Sequence, residues 1–136
     1  MQFWIVKSEP MKYSWEKFEQ EGKTFWDGVR NYQARNNLKK MKIGDRVLFY
    51  HSNEGKEIMG IAKVVKEAYQ DPTTNDERWV AVDLVPEKKL KKPVKLEVIK
   101  HDEVLKNIAL VKQSRLSVVP ITGDEFNRII ALSEDL

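Results

Sequence analysis

Apolar residues run along this chain in short blocks, each cut off by charged residues, glycine or proline. Phe3-Trp4-Ile5-Val6 is continuous and rich in strand formers, which predicts a buried first strand. Lys7-Ser8-Glu9-Pro10 is its polar exit, because proline cannot extend a ladder. Ser14 is placed to cap a short helix through Trp15, Phe18 and Glu19 that Gly22 stops. Arg46-Val47-Leu48-Phe49-Tyr50-His51 is apolar on both alternating faces, the pattern of a central strand covered on two sides. Asn53-Glu54-Gly55-Lys56 reads as a hairpin loop into a long strand from Ile58 to about Ala68, in which Gly60 marks a bulge or a close approach. Beyond the breakers between Asp71 and Asp76, the segment Trp79 to Val85 puts Val80, Val82 and Leu84 on one face and Asp83 on the other. Pro93 opens a further strand, Val94 to Ile99, and His101 to Asn107 reads as helical turns. Arg115 to Val119 is a last strand, closed by Pro120. Thr122 and Glu125 form a capping box for a terminal helix whose apolar face carries Phe126, Ile129 and Ile130. Five or six short strands with helices between them imply an α+β fold built on a small barrel, closed or nearly so.

One stretch resists this scheme. Trp26-Asp27-Gly28-Val29-Arg30-Asn31-Tyr32-Gln33-Ala34-Arg35-Asn36-Asn37 crowds aromatics, arginines and asparagines together. Asp27-Gly28 reads as a turn. Val29, Tyr32, Leu38 and Met41 then recur at roughly helical spacing, so a short helix is expected to run to about Met41. Its first half is written against propensity, because asparagine side chains compete for backbone bonds. Local rules are broken in this way where a site is built. The plainer alternative is a turn and a surface helix with Trp26 and Tyr32 plugging the core.

Composition narrows the chemistry. The 136 residues are long enough for one domain, spanning 1–136, to bury a core without staples. The chain lacks cysteine, and His51 and His101 are its only histidines, so neither a disulfide frame nor a histidine- or thiolate-based metal site is expected, and no cofactor. No apolar run reaches the roughly 20 residues of a membrane span, and Lys7 arrives too early for a signal peptide. The expectation is a cytoplasmic protein, monomeric and with no membrane partner. The net charge of +3 is mildly basic. Positive residues gather in two places, Arg30 to Lys42 and Lys88 to Lys100. In the second, Lys88, Lys89, Lys91, Lys92, Lys95 and Lys100 face only Glu97. Such a run is either a solvated face or a contact for phosphates.

Catalysis finds little support. His51 and Ser52 are neighbours on a strand and point to opposite faces, so they make no nucleophile-base pair. There is no Gly-x-Ser-x-Gly elbow, phosphate loop or dinucleotide fingerprint. No catalytic residue is assigned, and His51 reads most simply as a satisfied core or pocket-edge histidine. Recognition of a nucleobase fits better, since it needs an apolar wall and a few oriented polar groups. Trp26 and Tyr32 offer walls, and Val29 an apolar recess. Ser8, Asn31, Asn36, Ser52 and Ser117 offer donors and acceptors. Lys7, Arg30, Arg35 and Arg115, with Lys91 and Lys92, are candidate phosphate contacts.

Trp26 to Asn36 resembles the signature of the EVE domain, a member of the PUA-like superfamily. Lys7-Ser8-Glu9-Pro10, Phe49-Tyr50-His51-Ser52 and Arg115-Leu116-Ser117-Val118 with Pro120 agree with it, in the family's order and across nearly the whole chain. Val119 and Gln70 depart from it, where glutamine and proline are common. The resemblance implies a PUA-like mixed β-barrel of five to six strands with short helices. It also implies a non-catalytic partner of nucleic acid that recognises a modified base in DNA, methylated or hydroxymethylated cytosine. The runner-up is a PUA-type RNA-binding module, and an enzyme acting on a nucleotide stands third. The expected pocket draws on Lys7 and Ser8; on Trp26, Val29, Asn31, Tyr32, Ala34 and Asn36; on Tyr50, His51 and Ser52; and on Ser117.

Overall fold

The computed structural model describes residues 1–134; the last two residues of the expected 1–136 unit lie outside them. In chain order the elements are β1 (Phe3–Ser8), α1 (Trp15–Glu21), β2 (Thr24–Trp26), α2 (Tyr32–Lys40), β3 (Arg46–His51) and β4 (Glu57–Gln70). These are followed by β5 (Val80–Lys95), α3 (Leu96–His101), α4 (Ala109–Lys112), β6 (Val118–Ile121) and α5 (Gly123–Glu134). The six strands make one mixed sheet in the order β2-β5-β4-β3-β1-β6. β1 runs parallel to β3, and the other pairings are antiparallel. The α+β class and six strands agree with the sequence pattern. The barrel does not close: β2 and β6 are the ends of an open sheet.

Local chemistry explains most boundaries. The Ser14 hydroxyl accepts from the Lys17 N–H to start α1, and Gly22 ends it at φ 74°. Thr122 and Glu125 satisfy each other's backbone N–H groups at the start of α5, the expected reciprocal cap. Three elements differ from expectation. β6, expected from Arg115 to Val119 and closed by Pro120, instead spans Val118–Ile121 and includes Pro120. The strand expected at Trp79 to Val85 and the start of the one expected at Val94 to Ile99 belong to one continuous β5, Val80–Lys95, that passes through Pro86 and Pro93. β2 covers β5 only from Val82 to Leu84, so beyond that point β5 has a free side, and a proline there costs no ladder bond. Leu96 to His101 is helical rather than extended. Leu96 and Ile99, three apart, turn toward the core while Val98 is left exposed, and that is a helical period misread as alternation.

The core that matters for the site is aromatic. Phe49, on the central β3, is fully buried. It stacks on Phe18 at 5.5 Å and meets Trp15 and Trp26 edge-on, each at 5.5 Å. Trp15 lies on Gly60 of β4, where a Cβ would run into the indole ring. The β3–β4 and β4–β5 registers both shift beside Gly60, so the glycine marks a bulge and a close approach at once. Tyr13 packs against Phe18, Trp26 and Phe49 from the outer side of this cluster.

Candidate functional site

The chain ends of β1 and β2 bring three distant segments together. β1 carries Lys7 and Ser8 past the end of β6, where the Lys7 N–H donates to the Ser117 carbonyl at 3.0 Å. β2 then delivers Trp26 and the turn Asp27-Gly28, with Gly28 at φ 73°, a region that favours glycine. Between them opens a cleft of about 440 Å³, within the usual range for a small-molecule site. Its walls are Tyr13, Phe25, Trp26 and Val29. Its polar lining includes Lys7, Ser8, Asp27, Arg30 and Ser117, with Glu9 and Lys12 also contributing.

Asp71 shapes one side of this cleft from a distant loop. Its fully buried carboxylate accepts from the Gly28 N–H at 2.8 Å and from the Arg30 guanidinium at 2.9 Å. It also accepts from the N–H and hydroxyl of Thr73. Burial alone would raise this carboxyl. The hydrogen bonds from Thr73, Arg30 and Gly28 outweigh burial and hold it at about 2. Asp71 therefore stays ionised and pins both the turn and the arginine.

Other cleft groups are held differently. The Lys7 amine donates to the Ser114 carbonyl at 2.8 Å, and burial lowers its pKa. The Tyr13 hydroxyl donates to Glu21 at 2.6 Å; burial and then this bond push it up to about 12. Burial raises the Asp27 carboxyl, its own backbone N–H opposes this, Asp71 adds to the shift, and Arg30 counters it. No other described residue donates a hydrogen bond to Asp27 through its side chain.

Six of the residues expected at the site thus converge on the cleft: Lys7, Ser8, Trp26, Val29, Arg30 and Ser117. The others stand elsewhere, each for a physical reason. Asn31 is the N-cap of α2 and accepts from the Ala34 N–H at 2.9 Å, which accounts for an asparagine at that position. Asn31 and Arg115 share a separate shallow pocket with Gln33 and Ser114. Ala34 is fully buried on the inner face of α2. Asn36 is exposed and accepts from Arg35. Tyr32, 53% exposed, packs on Trp79 at 5.2 Å and carries the Arg35 guanidinium 5.0 Å from its ring centre. It is a surface layer beside Arg30, not a wall of the cleft.

Tyr50, His51 and Ser52 lie behind the site. Tyr50 and His51 pair with Lys7 and Ser8 across the parallel β1–β3 ladder, and the Ser52 N–H donates to the Ser8 carbonyl at 2.9 Å. His51 is buried and its Nε2 accepts from the Trp15 N–H at 3.0 Å. That bond needs the neutral ring, in agreement with the downward pKa shift that burial causes. Lys91 and Lys92 sit far along β5, in pockets bordered by Ile130 and by Leu132. Lys91 is seven strand residues beyond Leu84, where β2 pairs, or roughly 20 Å at the usual rise. The lysine run therefore does not border this cleft.

Sequence reasoning missed Tyr13, Phe25, Asp27 and Asp71. Tyr13 and Phe25 stood among ordinary helix-entry and strand residues. Asp27 was visible only as a turn former, and Asp71 only as part of a loop. Among the described residues, no group of three or more histidine or acidic side chains converges as a metal site.

Comparison with known proteins gives a consistent answer. The family model of the EVE domain matches residues 2–132. Thymocyte nuclear protein 1 of Gallus gallus is 37% identical, over 97% of this chain and 69% of that protein. A protein of Agrobacterium tumefaciens solved by crystallography is 41% identical with a TM-score of 0.96, covering 98% of this chain and 94% of the other. The crystal structure of human THYN1 protein in complex with DNA containing 5-methylcytosine is 35% identical with a TM-score of 0.92, covering 100% and 99%.

Proposed function

Since this chain belongs to the EVE domain family, we propose that it is a nucleic-acid-binding module that holds one modified base, methylated or hydroxymethylated cytosine, in the cleft between β1 and β2. The observation that carries the reading is the cleft's lining: aromatic rings on its walls, small hydroxyls within reach, and cations at its rim. A base lifted from its stack needs those three things together. The relative of known structure that holds 5-methylcytosine DNA supports the choice of ligand.

The roles divide by chemistry. Phe25 is 48% exposed and free to face a ring, whereas Trp26 is 8% exposed and contributes one edge, its body being committed to Phe49. Phe25 and Tyr13 are therefore the principal stacking surfaces, with Trp26 as the back wall. Val29 lines the same space and gives a methyl group an apolar seat. Lys12 and Arg30 are assigned to the flanking phosphates, which positions the strand without reading it. We read the site as binding without turnover: His51 spends its Nε2 on the Trp15 N–H, and Arg30 is committed to Asp71.

The test is a titration of the protein with DNA oligonucleotides that differ only in one central base: cytosine, 5-methylcytosine or 5-hydroxymethylcytosine. RNA of the same sequence is the fourth ligand. One buried methyl is worth about 0.8 kcal/mol, so 5-methylcytosine should bind about 4-fold more tightly than cytosine. Equal affinity for all three DNA ligands overturns the modified-base reading, and a preference for the RNA replaces it with the PUA-type alternative. Phe25→Ala should weaken every DNA ligand alike, since a stacking ring is worth about 1 to 3 kcal/mol whatever the substituent.

A further inference from the structure

Asp27 is the one carboxylate in the wall of the cleft that the fold does not use. Tyr13 is engaged by Glu21, Arg30 by Asp71, and Glu9 by Lys12 at 3.2 Å. Asp27 is half-buried at the turn after Trp26, and no described side chain or neighbouring backbone donates to it. The Arg30 guanidinium, whose charge also reaches Asp27, makes its ion pair with Asp71 instead, which is fully buried and ionised. Only its own backbone N–H and the charge of Arg30 offset the cost of holding the Asp27 anion in the wall, and burial outweighs them and raises its pKa. The same cleft holds unspent donors. The Lys7 amine has given one N–H to Ser114 and keeps two, and the Ser117 hydroxyl has no side-chain bond among the described residues.

Resting on the reading of the cleft as a base site, we propose that Asp27 determines which base enters, by accepting a hydrogen bond from an exocyclic amino group. Cytosine offers that amino group at N4, with the N3 and O2 acceptors alongside it on the same edge. Lys7 and Ser117 supply the donors for them. Thymine and uracil place a carbonyl oxygen where cytosine has the amino group, so a lone pair would face the carboxylate. A site built to satisfy one polar edge rejects the edge that leaves its own groups unpaired.

5-Methylcytosine and thymine isolate this step, because both carry the same methyl group and differ on the edge that Asp27 would read. Single-stranded oligonucleotides bearing one or the other are titrated against the full chain, which removes base-pairing energy from the comparison. The unmodified cytosine strand is included. The wild-type protein should prefer 5-methylcytosine to thymine by roughly 5- to 150-fold, the discrimination of one good base-edge contact. Asp27→Asn offers an amide that can turn its NH2 to the thymine oxygen, so the preference should vanish or reverse while the melting temperature does not fall. Asp27→Ala should lose affinity for the 5-methylcytosine and cytosine strands and not for the thymine strand.

Equal wild-type binding of 5-methylcytosine and thymine, with both above cytosine, overturns this role for Asp27 and leaves the base site standing. Equal binding of all three strands overturns both. A folded Asp27→Asn protein that keeps the wild-type preference also overturns the role, whatever its absolute affinity.

Discussion

Changing Asp71 to asparagine tests whether the cleft is held open from outside. The substitution keeps the shape of the side chain and removes its charge. One carboxylate oxygen takes the Gly28 N–H and Arg30, and the other takes the N–H and hydroxyl of Thr73. An amide has a single oxygen, so its NH2 must face one of these pairs. It will turn toward Thr73, whose hydroxyl can rotate to accept, and whose N–H is exposed enough to find water. What is lost is mainly the charge. The folded carboxyl titrates at about 2, and an unfolded aspartate at about 3.9. That gap is worth about 2 to 3 kcal/mol of stability at neutral pH. The Arg30 side chain is 41% exposed and stays hydrated, which keeps the cost below the roughly 3 to 5 kcal/mol of breaking a fully buried pair. Because the folded pKa is the lower one, this stability is complete above about pH 4 to 5 and is lost as pH falls toward 2. Urea unfolding of wild type and variant should therefore differ by about 2 kcal/mol at pH 6, narrowing to less than about 1 kcal/mol near pH 2.5. Oligonucleotide affinity should fall as well, since Gly28 and Arg30 lose their anchor. A difference under about 0.5 kcal/mol at pH 6, or one that does not change with pH, would refute the account.

Two further outcomes are expected. The Lys91→Ala, Lys92→Ala double variant should leave both the affinity for oligonucleotides and its salt slope unchanged, because those lysines do not border the cleft. Lys12→Ala should reduce the slope by roughly 0.7 to 0.9. The opposite pattern in salt titrations moves the phosphate track to β5. Gly60→Ala should cost about 1 to 3 kcal/mol in urea unfolding, as its Cβ meets the Trp15 ring in a packed core; a neutral result would mean that the bulge gives way.

The fold was legible where the signal is local. The Ser14 cap and Gly22 stop of α1, the capping box of α5, the central β3 and the Gly60 bulge are each written within a few neighbouring residues. β5 was split in sequence because Pro93 read as the opening of a new strand, yet β5 runs through both Pro86 and Pro93. Their tolerance depends on β5 lacking a second neighbour beyond Leu84, a property of the sheet that no local window contains. The open sheet has the same cause: strand patterning gives the number of strands, while closure depends on whether the two ends, β2 and β6, find each other.

The site divides along the same line. The stretch after Trp26 broke helical propensity, and its first residues line the cleft, but two of its asparagines are taken up by the fold. Asn31 caps α2, and Asn37 donates from its buried amide to the Val118 carbonyl at 2.7 Å, so both are spent on folding. The groups that remain for a ligand are those whose partners lie far away in sequence. Gly28 and Arg30 are fixed by Asp71, 43 and 41 residues on, and Lys7 is tied to Ser114, 107 residues on. A residue's type shows what it is able to bind; which of its atoms are already taken depends on contacts of this range. Asp27 is the consequence. By type it is one acidic turn residue among many, and it becomes a candidate reader of a base edge because Arg30 makes its ion pair with Asp71 instead.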